Sequence, residues 1–576
     1  MATTLVDPFT IEIIKNSLVA IGDEMFYALQ RTSKSTIIYE TLDYGVAITD
    51  ADGRLVAQGN GVPLFIGTLD AAVNAVRDKF GASGQLRPGD IVVTNDPYGG
   101  GGTHLSDVSL IMPIYHEGEL VAFVGNKAHW TELGGKDPGS WTTDSTEVYQ
   151  EGLQFPNVKL FNQGEPDDAL LDLIAANVRL PDMTLGDLWA GVAALRVGER
   201  RFLDLCDKYT RDTVLVAIDS LLDYGEEMAR QELGRLPKGT FEAEDMIDDD
   251  GIGNGPFPVR VRVTISDEEF VADFTGSHPQ VPGPINNTRT GLASGVRAVF
   301  KAVTNPAIPA NGGAFRPVRA ICPDGTVFTA QRPAPVSTYW ETMLYATDLI
   351  WKALAPHVPE RLPAGHMLSV CGTVLAGPNP DTGELFLLVE PLVGGWGAGH
   401  DKDGENGQFC VGDGETYNIP IEITETRYGV IVDQYAFHTE DGGAGEFRGG
   451  KGVVLDYRAV GDGTYLTGTF GRHKYKPWGM NGGHEGSPNF IKVIRRDGSE
   501  EGPFGKVARL RLEKGDVARL VTATGGGYGD PRRRPRGRVL ADIRDGYINV
   551  EQANRDYGVD VDATTVTPGI VQEPST

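Results

Sequence analysis

The chain has 576 residues, 40% of them hydrophobic and 23% charged, and a formal net charge of −27. So long a chain implies several units of the usual ~150 residues, and so acidic a balance excludes nucleic acid and anionic membrane surfaces, which need clustered Lys and Arg. Glycine, at 75 residues, stands well above the usual ~7% and implies many tight turns.

In chain order, Asp7 followed by Pro8 predicts a helix N-terminus, with apolar Ile14, Leu18 and Ile21 on one helical face. This start has no basic segment before an apolar run, so no signal peptide is expected. Residues 44–59, YGVAITDADGRLVAQG, alternate, turn at Ala51-Asp52-Gly53 and alternate again, which predicts a hairpin. A second hairpin is predicted from VSLIMPIY (108–115) and LVAFVGNKA (120–128), joined by HEGE. Residues 165–233 change to three- and four-residue apolar spacing and predict a helical layer.

The acidic, turn-rich run at 236–258 marks a boundary. Beyond it strands dominate, from VRVRVTI and EEFVADF onward, with hairpin turns at 377–383 and 495–502. ASGVRAVFKAV and TMLYATDLIWKAL read as helices, and the tail from Val539 to Gly558 as two short ones. The expected fold is α+β: an N-terminal mixed domain with a metal-bearing hairpin and a helical layer (1–240), a β-rich C-terminal domain (241–535) and a short helical tail (536–576). No stretch reaches the ~18 apolar residues of a membrane span. Cys206, Cys322, Cys371 and Cys410 form no CxxC pair, so no disulfide scaffold or thiolate zinc site is indicated, and a reducing cytoplasm is expected. The basic run PRRRPRGR (531–538) is short and expected to be solvated.

The stretch GGGGTHLSDVSL (99–110) carries the chemistry. Four glycines precede His104, and Asp107 follows three residues later. If HEGE is the loop, paired indices sum to roughly 235, so Asp107 faces a position beside His129. Two imidazoles and a carboxylate are a first shell for Zn, Mn or Fe with an open position, and the glycines would let the backbone approach a metal or substrate. Hydrogen-bonded strand-end histidines and a plain surface loop explain the same spacing. Glu132, three residues past His129, is a candidate general acid or base. GEFRGGKG (445–452) nearly matches a phosphate loop but has Gly452 where a metal-binding hydroxyl is needed, and no G-x-S-x-G or HExxH is present.

THLSD (103–107), AHWTELGGKDPGS (128–140), EVYQEGLQFPNVKL (147–160), DFTGSHPQVPGPIN (273–286), PANGGAFRPV (309–318), GGAGEFRGGKG (442–452) and GGGYGDP (525–531) resemble the hydantoinase B / oxoprolinase family. The resemblance runs from the first helix to DYGV (556–559). It implies a subunit of an ATP-dependent hydantoinase, oxoprolinase, caprolactamase, or acetone or acetophenone carboxylase, with ATP handled by a hydantoinase A type partner. In acetone carboxylase a metal is held by residues that carry over onto His104, Asp107 and His129; a further ligand, as in caprolactamase, falls on Asp43. Glu132 stands where many relatives have aspartate, and GVPLFIG (61–67) replaces a common HIPVHLG.

The function expected from this resemblance is ATP-dependent hydrolysis of a cyclic amide within a hetero-oligomer. The partner would phosphorylate the amide, and a divalent metal (Zn, Mn or Fe) on Asp43, His104, Asp107 and His129 would activate water. Glu132 or Asp96 would move the proton. Alternatives are a ketone carboxylase subunit using the same site, and a non-catalytic scaffold.

Overall fold

The computed structural model describes residues 6–65, 67–81, 84–414 and 416–561. Helix α1 (Pro8–Thr32) begins as the sequence predicts, with Asp7 Oδ1 accepting from the amides of Phe9 and Thr10 at 3.0 and 3.1 Å. A short α2 (Thr36–Tyr39) leads into the first hairpin, β1 (Tyr44–Asp50) and β2 (Leu55–Gln58), followed by α3 (Leu69–Phe80). Strands β3 (Ile91–Thr94), β4 (Asp107–His116), β5 (Glu119–His129), β6 (Val158–Asn162) and β7 (Glu165–Pro166) complete an antiparallel sheet in the order β2-β1-β5-β4-β3-β6-β7. The sequence reading does not include α3, β3, β6 or β7; the three strands are too short to display a period.

Both faces of this sheet are covered, and so β1 and most of β4 are buried throughout rather than on alternate residues. The helical layer is α4 (Asp168–Asn177), α5 (Pro181–Tyr209) and α6 (Arg211–Arg235). Helix α5 lies on one face, its Gly191 against Leu110 and Asn126 and its Gly198 against Val124. Leu69 of α3 reaches the other face beside Gly125. Successive strand residues point to opposite faces, so Asp107 and His129, in register with Ile111 and Gly125, belong to the α3 side.

The second half opens with β8 (Gly239–Ile247), β9 (Phe257–Ile265), β10 (Phe270–Asp273) and β11 (Val318–Ile321), a sheet ordered β11-β10-β9-β8. Helix α7 (Arg289–Val303) packs beside α8 (Tyr339–Leu354), whose residues are buried on nearly every side. Two further sheets use strands between Gly372 and Val521, with hairpin turns where the sequence places them. The fold is α+β, with four sheets among the described residues. One continuous buried apolar cluster runs from Ile14 to Ala523, across the boundary near residue 240. The tail helices, Arg536–Arg544 and Val550–Tyr557, enclose a smaller cluster with Ala444; residues 562–576 of the expected tail unit lie outside the described residues. Among the described residues no helix is long and apolar enough to cross a membrane.

Two local expectations change. Within the basic run, Arg534 is buried and paired with Asp403 at 2.6 Å and Asp542 at 2.8 Å, so the cluster is partly internal rather than solvated. The glycine loops of the second half are not isolated turns but interlock: the amide of Gly450 donates to Trp396 O (2.8 Å) and that of Gly525 to Gly450 O (2.9 Å). A Cβ at Gly525 would stand 2.1 Å from Trp396 O, and one at Gly449 1.9 Å from Gly525 O. Glycine is required there because backbones touch.

Candidate active site

Strands β4 and β5 meet through a two-residue turn, Glu117-Gly118, both with positive φ (51° and 84°). From the turn the pairs sum to 235, as HEGE predicts, until a bulge between Ile114 and Tyr115 adds one residue. Asp107 therefore stands directly opposite His129 rather than beside it. Asp43, just before β1, joins the same level, its carbonyl accepting from the His129 amide at 3.1 Å.

The four side chains Asp43, His104, Asp107 and His129 line one cavity, together with Tyr339, Trp340, Glu390 and Asp413. His104 donates from Nδ1 to the Ser337 carbonyl at 3.1 Å and turns Nε2 toward Asp107 Oδ1, also at 3.1 Å. The other Asp107 oxygen accepts from Thr103 Oγ1 and from the Tyr339 hydroxyl at 3.1 Å. The start of α8 thus clasps the hairpin end, and Trp340 stands edge-on to His104 with ring centroids 5.3 Å apart. Behind it, the buried Glu151 accepts from the amides of Val336 and Ser337 at 3.0 Å.

Burial opposes ionisation of Asp107, but the charge and hydrogen bond of His104, with His129 and Lys127 beyond, hold its carboxyl below the usual range. Burial first, then His104, pushes His129 down to about 3, keeping its imidazole neutral. Burial, Asp107 and Asp413 raise Asp43 well above a normal carboxyl. Burial also lifts Asp413 and Glu390, which line the same cavity, to about 7.

These donors suit a divalent cation in two respects. His129 Nδ1 is buried without a hydrogen-bond partner among the described residues. With Nδ1–H of His104 given to a carbonyl, its Nε2 faces a carboxylate lone pair to lone pair unless a proton or cation stands between them. Neutral imidazole and carboxylate are the donors of Zn, Mn and Fe sites. Among the described residues, however, no group of three or more His, Cys, Asp and Glu is arranged as a ready ligand shell, since His104 and Asp107 are turned toward each other.

The expected proton carriers lie elsewhere. Glu132 does not line the cavity: its buried carboxylate accepts from the amides of Gly134 (2.7 Å) and Gly139 (3.0 Å) and from Arg179 (2.9 Å), which fastens the 133–140 loop. Asp96 is also outside it, paired with Arg332 at 3.1 Å. Nor does the glycine run line the cavity. Gly101, at φ +73°, would put a Cβ 2.3 Å from Ala72 N, and Gly102 one 2.6 Å from Asp96 O, so these glycines admit α3 and their own loop rather than a ligand. The sequence reading missed Glu151, Tyr339, Trp340, Glu390 and Asp413. Glu151 stood inside a family-like motif, and Tyr339 and Trp340 directly preceded a recognised helix; Glu390 and Asp413 carried no local pattern.

Buried imidazoles and carboxylates converging on a concave site are the arrangement of a catalytic centre. The sequence model of the Hydantoinase B/oxoprolinase family matches residues 7–531, and the chain belongs to that family. It is 33% identical over 574 residues to the beta chain of the caprolactamase of Pseudomonas jessenii, covering 97% of each chain. It is 30% identical to the hydantoinase B component of a putative D-/L-hydantoinase from a Pseudomonas species, over 96% of this chain and 95% of that one. The crystal structure of the ATP-dependent caprolactamase from Pseudomonas jessenii superposes with a TM-score of 0.91 at 32% identity, over 97% of this chain and 98% of that one. Nucleotide-free acetone carboxylase, at 19% identity, TM-score 0.87 and 96% and 79% coverage, shares the fold.

Proposed function

We propose that this chain is the hydrolytic subunit of a two-component, ATP-dependent cyclic amide hydrolase that works with a hydantoinase A type partner. Family membership and the caprolactamase and hydantoinase relatives support the reaction class. The observation that carries the site is the placement of Asp43, His104, Asp107 and His129 on one buried cavity.

An amide is a poor electrophile, so the partner first transfers a phosphoryl group from ATP to the amide oxygen. Water then adds to the activated carbon, the ring C–N bond breaks as nitrogen takes a proton, and a second water converts the resulting acyl phosphate to carboxylate and phosphate. Asp43, His104, Asp107 and His129 would hold a divalent metal, whose Lewis acidity brings water's pKa toward neutrality. Tyr339 and Thr103 fix Asp107, and the Ser337 carbonyl fixes the His104 tautomer. Asp413 lines the cavity, and among the described residues its carboxyl has only the Cys410 thiol, at 3.6 Å, as hydrogen-bond partner, which leaves it free to take a proton from water or give one to the departing nitrogen. It replaces Glu132 and Asp96 in that role.

Elemental analysis of the purified chain beside His104→Ala and Asp107→Ala, with circular dichroism for folding, tests the reading. About one Zn, Mn or Fe per chain, lost in both folded variants, is expected. A chain that stays metal-free after reconstitution yet opens lactams with ATP and partner would remove the metal from the mechanism. A bicarbonate requirement with ketone consumption would move the chain to the carboxylases.

A further inference from the structure

The cavity lining holds hydrogen-bond donors that the fold leaves unused. Trp340 Nε1 and Thr416 Oγ1 are buried without a partner among the described residues, and both residues line the cavity. They are only 7% and 6% exposed. An indole N–H can donate but not accept, and carboxylates from Asp43, Asp107, Glu390 and Asp413 line the same cavity. The indole binds none of them. Asp107 is engaged by Thr103, Tyr339 and His104, and Glu390 by Asn418, the Ile419 amide and Tyr457.

The indole is also fixed in place. It stands edge-on to His104 and edge to face with Trp141, each pair 5.3 Å apart between centroids. Its Cζ2 atom, two bonds from Nε1, would lie 3.5 Å from a Cβ on Gly372, which lines the cavity as well, so the nitrogen-bearing side of the ring is turned to the lining. A buried donor left unpaired costs stability, and a rigid one needs no reorganisation when an acceptor arrives.

We infer that the Trp340 indole N–H and the Thr416 hydroxyl hold the phosphoryl oxygens of the activated amide, which makes Trp340 a catalytic residue of ring opening. This rests on the cyclic amide reading above, in which the phosphoryl group stays attached from the activated amide to the acyl phosphate. Its charged oxygens only accept, as a donor-only indole requires. The positive charge such an anion needs would come from the metal on the four ligands. The two neutral donors supply direction, keeping the carbon in one place while the ring C–N bond beside it breaks.

The probes are inorganic phosphate and 2-pyrrolidinone, the anion and the neutral amide taken separately, added to the purified full chain carrying stoichiometric Zn. Isotope labelling of the tryptophans gives one indole N–H resonance by NMR for each of the seven. The one missing from Trp340→Phe, which keeps an aromatic ring against His104 and Trp141, belongs to Trp340. Phosphate is expected to move that resonance downfield and 2-pyrrolidinone to leave it in place. Trp340→Phe and Thr416→Val are each expected to weaken phosphate binding by at least about tenfold, and Thr416→Val carries that comparison alone if Trp340→Phe does not fold. Phosphate that fails to bind, or that binds equally to the variants with the resonance unmoved, overturns the inference. An equal shift with 2-pyrrolidinone does so too, because it gives the donor to the amide oxygen. Each of these results leaves the cyclic amide reading standing, since that reading falls only if the wild type opens no ring with ATP and partner.

Discussion

The end of the β4–β5 hairpin and the interlocked glycine loops of the second half are both buried and both rich in family-like motifs, yet they are built on opposite principles. At the hairpin, side chains do the work: four polar groups reach one cavity because strand register and a bulge align them. Among the glycine loops the absence of side chains does it, since Trp396, Gly450 and Gly525 join backbone to backbone. A motif's prominence therefore does not say whether it holds chemistry or packing. Substitution should separate the two, removing turnover without unfolding at the hairpin and unfolding first among the glycines.

The largest effect is expected at His104. His104→Ala leaves the Ser337 carbonyl and one Asp107 oxygen without their imidazole partner, while Asp107 keeps Thr103 and Tyr339; the variant should fold, with some loss of stability, and should lower ATP-dependent ring opening by roughly a thousandfold, about 4 kcal/mol of barrier. Turnover within a few fold of wild type would erase the contrast. Gly525→Ala is the opposite case: its Cβ would lie 2.1 Å from Trp396 O and 2.6 Å from the Gly397 amide nitrogen, backbone atoms that cannot swing aside. Urea denaturation should show a loss of about 3 kcal/mol, with activity per folded molecule unchanged.

How far the sequence revealed these regions follows the same division. The hairpin was legible because its evidence is local: a two-residue turn, alternating strands and two histidines at countable distances from it. Only the bulge escaped, and it moved Asp107 from beside His129 to opposite it. The fold class and most hairpins and helices rest on periodicity and were legible too, whereas the four-residue β3 was not. What the sequence hid is what distant segments bring: Ser337 and Tyr339 on the hairpin, Glu390 and Asp413 in the cavity lining, and the mutual packing of glycines in separate loops. Glu132 misled because adjacency to His129 along the chain places it beyond the strand end, where it ties a loop.

A pH experiment sharpens the glycine side. His366 is buried between Trp351 and Trp396, ring centroids 6.1 and 5.0 Å away, and its Nε2 accepts from the Val411 amide at 3.2 Å, so the ring is held neutral. Burial, then Arg472, pushes it down to about 3. The folded state therefore binds fewer protons than the unfolded one below about pH 6.5, and the contribution present above that pH is lost as pH falls toward 3. At pH 5 the loss from this group is about 2 kcal/mol. Denaturation at pH 7 and pH 5 should show His366→Asn losing less than wild type by that amount, and an equal loss in both proteins would assign the acid sensitivity elsewhere.

The smallest predicted effect lies where the halves of the chain meet. Glu151 does not line the cavity, but its carboxylate accepts from the Val336 and Ser337 amides and from Ser145 Oγ at 2.7 Å, and the Ser337 carbonyl in turn accepts from His104. It is a positioning residue acting through one peptide unit. Glu151→Gln keeps the shape but presents an NH₂ where an acceptor is needed, so the Ser337 peptide should tilt and His104 with it. The expected result is a fall in kcat of about tenfold with KM nearly constant, and a shifted His104 ring resonance by NMR. A purely structural role would instead lower stability while leaving kcat and that resonance where they were, because a carboxylate that only holds a loop has no reason to be felt at an imidazole two contacts away.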